Sequence, residues 1–224
     1  MTGHQEARVV VTTTLPALPL PPNSMRGEIR TSRLLLRPLC QEDLQGLHAL
    51  RSQPEVMMGT ARGVPDKDMG ETEEALQYFL APNDEKTFLF GAFLLTTGEL
   101  VGEGGIHSLA SSSCGWPEIG YKFSKEVWRQ GYAFEFVQAM LQAWWELPRS
   151  TATISVHPQS CGGVENTHEQ VFALTDDGNV GSQGLLAKLG FRRFMTWTEP
   201  DTQLHRLGQP VTLHGFAIGA PKAS

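Results

Sequence analysis

The chain has 224 residues, of which 40% are apolar and 19% charged, with a formal net charge of −6. These proportions fit one generous globular core and exclude a disordered or membrane-embedded chain. The acidic balance, without any Lys/Arg-dense run, argues against nucleic acid as a partner, and no apolar run approaches the ~20 residues that span a bilayer.

The first 25 residues include Leu15-Pro16-Ala17-Leu18-Pro19-Leu20-Pro21-Pro22. These prolines forbid a signal-peptide helix and favour an extended segment, so residues 1–27 are predicted as a flexible tail. Residues 33–37 read as a first strand, closed by Pro38. Residues 41–53 read as a helix, with Leu44, Leu47, His48 and Arg51 at helical spacing, and Pro54 stops it. Residues 66–80 form a second helical stretch carrying Ala75, Leu76, Phe79 and Leu80. Residues 87–95 are a Phe-rich strand, Thr97-Gly98 signals a hairpin, and residues 100–106 are the glycine-rich partner. Residues 117–123 are a further strand.

Residues 131–146 give the strongest helical signal, because Ala133, Phe136, Val137, Met140, Leu141 and Trp144 form one apolar stripe. Pro148 ends that helix. Residues 151–156 alternate β-branched side chains as a strand does, and 157–167 are loop-like around Gly162-Gly163. Residues 169–175 read as a strand, 179–189 as a helix ended by Gly190, and 191–198 and 211–218 as two closing strands. The layout is α+β: a mixed, mostly antiparallel sheet of about seven strands flanked by helices. A single domain is expected over residues 28–219, with an insertion at about 150–168 and a C-terminal tail at 220–224. Cys40, Cys114 and Cys161 are far apart, with no CxxC pair and no His at metal-ligand spacing. They read as free thiols in a reducing, cytoplasmic compartment, and no metal is expected.

Chemistry concentrates in three segments. Trp128-Arg129-Gln130-Gly131-Tyr132-Ala133 leads from a strand into the long helix. Unpaired N–H groups at such a start suit a phosphate, and Gly131 permits close approach, although an ordinary helix entry would look similar. Asn179, Ser182, Lys188, Leu189, Gly190 and Phe191 are spread over the last helix, where capping and packing would also account for them. Pro117-Glu118-Ile119-Gly120-Tyr121 places a carboxylate on the strand before the glycine turn, where a plain surface Glu is the simpler reading.

In this order and spacing the three segments resemble the GNAT acetyltransferases, and within them the RimJ/RimL-like branch, over about residues 30–218. The resemblance implies an acetyl-CoA-dependent N-acyltransferase with a splayed central strand pair that admits the pantetheine arm. Lys122 and Phe123 of the fourth strand would line that arm. The backbone of Arg129, Gln130, Gly131, Tyr132, Ala133 and Phe134 would hold the pyrophosphate. Asn179 and Ser182 would sit near the sulfur. A small-molecule or peptide amine would enter from the opposite face, with neither nucleic acid nor membrane as partner and a homodimer left open.

An acceptor ammonium must lose a proton before it attacks, which a protein α-amino group near pKa 8 does far more readily than a lysine near 10.4. Glu118 is the candidate base, N–H groups around Lys122 the candidate oxyanion donors, and Ser182 the candidate donor to the departing thiolate. The chain departs from the family pattern at Leu186, where many members place a tyrosine acid, at Trp128, which opens the phosphate loop, and at Phe134, which replaces a small hydroxyl residue. These departures keep open an alternative, a non-catalytic acyl-CoA-binding module of the same fold. His107 is either acceptor-facing or structural, and Trp116 is assigned either to the acceptor or to its own loop. Trp144 and Trp145 are expected to pack. The insertion, with His157, Cys161, Glu165 and His168, is either a lid or interface hairpin or a tolerated loop.

Overall fold

The computed structural model describes residues 8–162 and 167–221. In chain order its strands and helices are β1 (Val9–Pro16), β2 (Ile29–Arg30), β3 (Leu34–Arg37), α1 (Leu44–Arg51), α2 (Pro54–Met58), α3 (Met69–Leu76), β4 (Phe88–Leu94), β5 (Leu100–Ser108), β6 (Glu118–Phe123), α4 (Tyr132–Glu146), β7 (Arg149–Val156), α5 (Pro158–Cys161), β8 (Gln170–Asp176), α6 (Val180–Lys188), β9 (Arg192–Pro200) and β10 (Pro210–Gly219).

The main sheet has eight strands in the order β2-β3-β4-β5-β6-β8-β10-β9. Its extra strand over the expected seven is the two-residue β2 at the edge. The pairings are antiparallel except β6 with β8, which run parallel and share only Glu118↔Phe172 and Ile119↔Ala173. Beyond Ile119 the two strands part, and this split is the main feature of the sheet.

Helix α4 lies on one face. Its stripe Phe136, Val137, Met140, Leu141 and Trp144 is buried against Phe90, Val101, Ile106 and Phe123. Each large side chain buried in this way contributes about 1.5–3 kcal/mol. The opposite face of β4 and β5 is covered through Leu47, Leu76, Phe79, Leu89 and Phe93. Pro54 ends one helix and also opens α2, since proline fits the first helical turn without losing a hydrogen bond. The second predicted helix begins at Met69 rather than residue 66, because Asp68 accepts a hydrogen bond from the Glu71 N–H and caps it.

The predicted N-terminal tail is corrected. Val9–Pro16 is a strand that pairs antiparallel with β7, from Val9↔Val156 to Pro16↔Arg149, in a two-stranded ribbon outside the main sheet. The run Val9-Val10-Val11-Thr12-Thr13-Thr14 is β-branched throughout and favours a pleated strand. Val11 and Thr13 are buried, Val10 is exposed, and Pro16 ends the strand. The following residues are fastened too. Leu20 is in the α4-side core, and the Arg26 guanidinium donates to the Pro21 and Thr87 carbonyls at 2.8 and 2.6 Å. The folded domain therefore includes the residues from Val9 onward. The expected tail falls outside the described residues only for 1–7, and its C-terminal counterpart only for 222–224.

The insertion supplies the other half of the ribbon, then α5. Val156 and Cys161 pack with Val11, Trp116 and Phe172, so the ribbon caps β8 on the face away from α4. Trp116 is fully buried and donates to Ser160 Oγ at 2.8 Å, which makes it a packing residue that ties its loop to α5. Glu165 lies outside the described residues.

Candidate active site

The site is built around the split. Ser124 N–H donates to the Val101 carbonyl on β5 at 2.8 Å, and the Pro117 carbonyl accepts from Phe172 N–H on β8 at 2.8 Å. Backbone groups alternate sides along a strand. The amides of Tyr121 and Phe123 therefore point toward β8, where β8 has turned away. The Lys122 amide faces β5, and its ammonium is ion-paired with the buried Glu103. The open amides are thus those flanking Lys122, not its own.

Side chains of β6 separate by face. The register pairs Phe123 with Gly102, Tyr121 with Gly104 and Ile119 with Ile106, all toward α4. Lys122 opposite Glu103, and Gly120 opposite Gly105, lie on the other face together with Glu118. That face carries two side-chain pairs, one of them the Lys122–Glu103 ion pair, separated by a floor of glycine. The second pair is Glu118 with His107, Oε1 to Nε2, at 3.7 Å; the side chains are 15% and 46% exposed. His107 reaches it from a β-bulge, where the β5–β6 register shifts between Ile106 and Ser108. A Cβ on Gly120 would meet the His107 ring at 3.0 Å, so glycine makes room for the imidazole. His107 is thus a half-exposed partner of Glu118 rather than a satisfied core residue.

At the far end of β6 the chain turns into α4. Arg129 and Gly131 both take left-handed backbone, with φ of 60° and 86°. The first helical bond runs from Glu135 N–H to the Gly131 carbonyl. Among the described residues the amide N–H groups of 129–134 meet no partner, which leaves consecutive donors at a helix start, a feature that suits an anion. Several side chains hold this turn. Trp128 Nε1 donates to the Phe123 carbonyl at 2.6 Å and Gln130 Nε2 to the Glu126 carbonyl at 2.7 Å.

Arg33, which the sequence did not single out, stacks on the Tyr132 ring at 4.1 Å, donates to the Gln130 carbonyl at 2.8 Å and pairs with Glu135 at 2.7 Å. Burial pushes the Glu135 carboxyl up, but hydrogen bonds from Thr31, Arg33 and Ser32 outweigh it and hold the group below the usual carboxylate range.

The third component is the start of α6. Asn179 Oδ1 accepts from Ser182 N–H at 3.0 Å, and Asn179 N–H donates to Asp176 Oδ1 at 2.8 Å. The amide nitrogen Nδ2 has no hydrogen-bond partner among the described residues and points toward Gly59 at the end of α2, 3.4 Å from where a Cβ would stand. Ser182 Oγ lies 2.8 Å from the Tyr121 hydroxyl. Burial pushes that phenol up to about 12, against the opposing pull of its bond to Ser182. Leu186 is fully buried in the α4-side core.

Two further loops, one after α2 and one after β9, are joined to each other. Gln203 Nε2 donates to the Thr60 carbonyl at 2.6 Å, and Leu204 N–H donates to the Arg62 carbonyl at 3.0 Å, so the two loops form one wall. Among the described residues no group of three or more His, Cys, Asp or Glu could hold a metal ion, and no helix is long and apolar enough to cross a membrane.

A family model for an acetyltransferase (GNAT) domain matches residues 33–192. The uncharacterized N-acetyltransferase YoaA of Bacillus subtilis (strain 168) is 28% identical over 194 residues, covering 81% of this chain and 97% of that protein. An acetyltransferase (GNAT family) structure from Bacillus anthracis superposes with a TM-score of 0.64 at 21% identity, covering 87% of this chain and 99% of that one. A Vibrio cholerae structure assigned as a ribosomal-protein-serine acetyltransferase gives 0.61 at 20% identity, covering 91% and 99%. The two structural likenesses speak to the fold.

Proposed function

The chain belongs to the acetyltransferase (GNAT) domain family and is an acetyl-CoA-dependent N-acetyltransferase, and from that premise we propose that it acetylates an α-amino group by direct attack, in the manner of the RimJ/RimL-like branch. The observation that carries the reading is the run of open N–H groups at 129–134 beside the β6–β8 split. Those groups suit a diphosphate, and the split suits a narrow pantetheine arm. Asn179 Nδ2, a free donor at the head of α6, suits an amide carbonyl of that arm. The donor set therefore fits coenzyme A, which supplies an activated acyl group when bound.

On the opposite face, Glu118 takes the proton that the acceptor ammonium loses. An α-amino group near pKa 8 needs only a modest base, and a partly buried carboxylate meets that need. His107, half exposed beside Glu118, offers the proton a path to solvent. The Tyr121 and Phe123 amides, pointing into the split, donate to the oxyanion that forms on attack. Ser182 donates to the sulfur as the C–S bond breaks.

The test is thiol release from acetyl-CoA with a panel of amines: peptides with free N-termini, the same peptides blocked at the N-terminus, and diamines. Release confined to free N-terminal peptides is the expected result. Equal release with diamines, or with blocked peptides that retain a lysine, would overturn the α-amino assignment.

A further inference from the structure

We propose that Tyr121 is a positioning residue that aims the Ser182 hydroxyl at the departing sulfur, so that the thiolate leaves against a chain of two hydroxyls spanning the split. The inference rests on the reading of the split as the coenzyme A site. Tyr121 stands on β6 and Ser182 in the first turn of α6, which follows β8. Their 2.8 Å contact crosses the place where the two strands have separated. Ser182 is already fixed at its backbone, because its N–H donates to Asn179. What remains free is rotation of the hydroxyl. A phenol donating to Ser182 Oγ occupies one lone pair and leaves the serine proton to point into the split.

The relative acidities decide what this chain does. The buried phenol stays protonated up to about 12, whereas a thiol ionises near 8.5. A thiolate therefore cannot draw the proton from Tyr121 at neutral pH, and Tyr121 acts by donating a hydrogen bond that it keeps. In the balanced step the amine nitrogen–carbon bond forms, the carbon–sulfur bond breaks and the electron pair stays on sulfur. The serine O–H donates to that sulfur, with its own oxygen polarised by the phenol. The proton lost by the ammonium passes through Glu118 to solvent before attack, the second nitrogen proton then goes to Glu118, and the thiolate is protonated by solvent on release.

The experiment uses coenzyme A carrying ¹³C at its thiol-bearing carbon, bound to the full chain. The chemical shift is followed with pH in wild type, Tyr121→Phe, Ser182→Ala and the double variant. Wild type should hold the thiol ionisation about one pH unit below either single variant, a tenfold preference for the thiolate. The double variant should go no further, since the two hydroxyls act as one unit. Ser182→Thr, which keeps a hydroxyl, should retain the shift and guards against a folding defect. If Ser182→Ala moves the ionisation and Tyr121→Phe does not, or if neither does, the inference is wrong. Failure of wild type to bind coenzyme A would instead sink the reading of the split, and this inference with it.

Discussion

In the proposed reaction Glu118 and Gly131 do different work, and their substitutions should separate cleanly. Glu118→Gln removes the base but keeps size and polarity. It should lower turnover by about a hundredfold or more, the usual contribution of a positioned base, while calorimetry finds acetyl-CoA affinity unchanged. Turnover equal to wild type would remove Glu118 from that role. Gly131→Ala places a Cβ on a residue with φ of 86°, which costs about 1–2 kcal/mol in left-handed backbone. The loop can relieve that strain only by moving its open amides. Acetyl-CoA affinity should fall about tenfold, the equivalent of 1.4 kcal/mol, and unchanged affinity would count against the loop as the phosphate site. Both residues were legible in the sequence because each belongs to a local pattern, a strand start and a helix start. Tyr121 and Arg33 were not legible in their roles. Their partners Ser182 and Glu135 are 61 and 102 residues away, and only the folded sheet brings them together.

The ends of α4 and β7 meet at a buried ionic contact whose pH behaviour can be predicted. Trp144 Nε1 donates to Glu169 at 2.8 Å, and Arg149 pairs with the same carboxylate at 3.2 Å. Burial nevertheless pushes Glu169 from the ordinary 4.5 to about 7, with Arg149 and Trp144 pulling the other way. Across that window the folded chain binds more protons than the unfolded one, so stability falls as pH rises. The loss amounts to about 3 kcal/mol at most, at 1.36 kcal/mol per unit. Denaturant titrations at several pH values should show this slope and its loss in Glu169→Gln. A slope that survives the substitution would mean that another group carries it.

The β1–β7 ribbon gives a second test among the elements. Deleting residues 1–16 removes the buried Val11 and Thr13 and uncovers the apolar groups under β7. The burial of a valine alone is worth about 1.5–3 kcal/mol, and each kcal/mol moves the melting temperature of a domain this size by about 2–4 °C. A fall of at least about 5 °C is expected, and an unchanged melting temperature would restore the view of this segment as a free tail. The strand escaped the sequence reading because the prolines after Leu15 dominated it, and because its partner β7 lies about 140 residues on.

At the scale of the whole molecule, the proposed function follows from one break in an otherwise continuous sheet. Apolar runs bounded by turn signals announced most strands, and the helical stripe announced α4, so the α+β class and the mixed sheet were legible in the sequence. The split was not legible from composition or periodicity; it came from the resemblance, and in the structure it appears as the short β6–β8 register. In the proposed reaction its two faces divide the work, with open amides and the Tyr121–Ser182 hydroxyls assigned to coenzyme A, and Glu118 with His107 to the acceptor. The most direct test of this division is calorimetric titration of acetyl-CoA into wild type, Gly131→Ala and Glu118→Gln. Saturable binding to wild type, weakened by the glycine substitution and untouched by the glutamate one, is the predicted result. No binding to wild type, or binding indifferent to Gly131 and weakened at Glu118, would contradict the account.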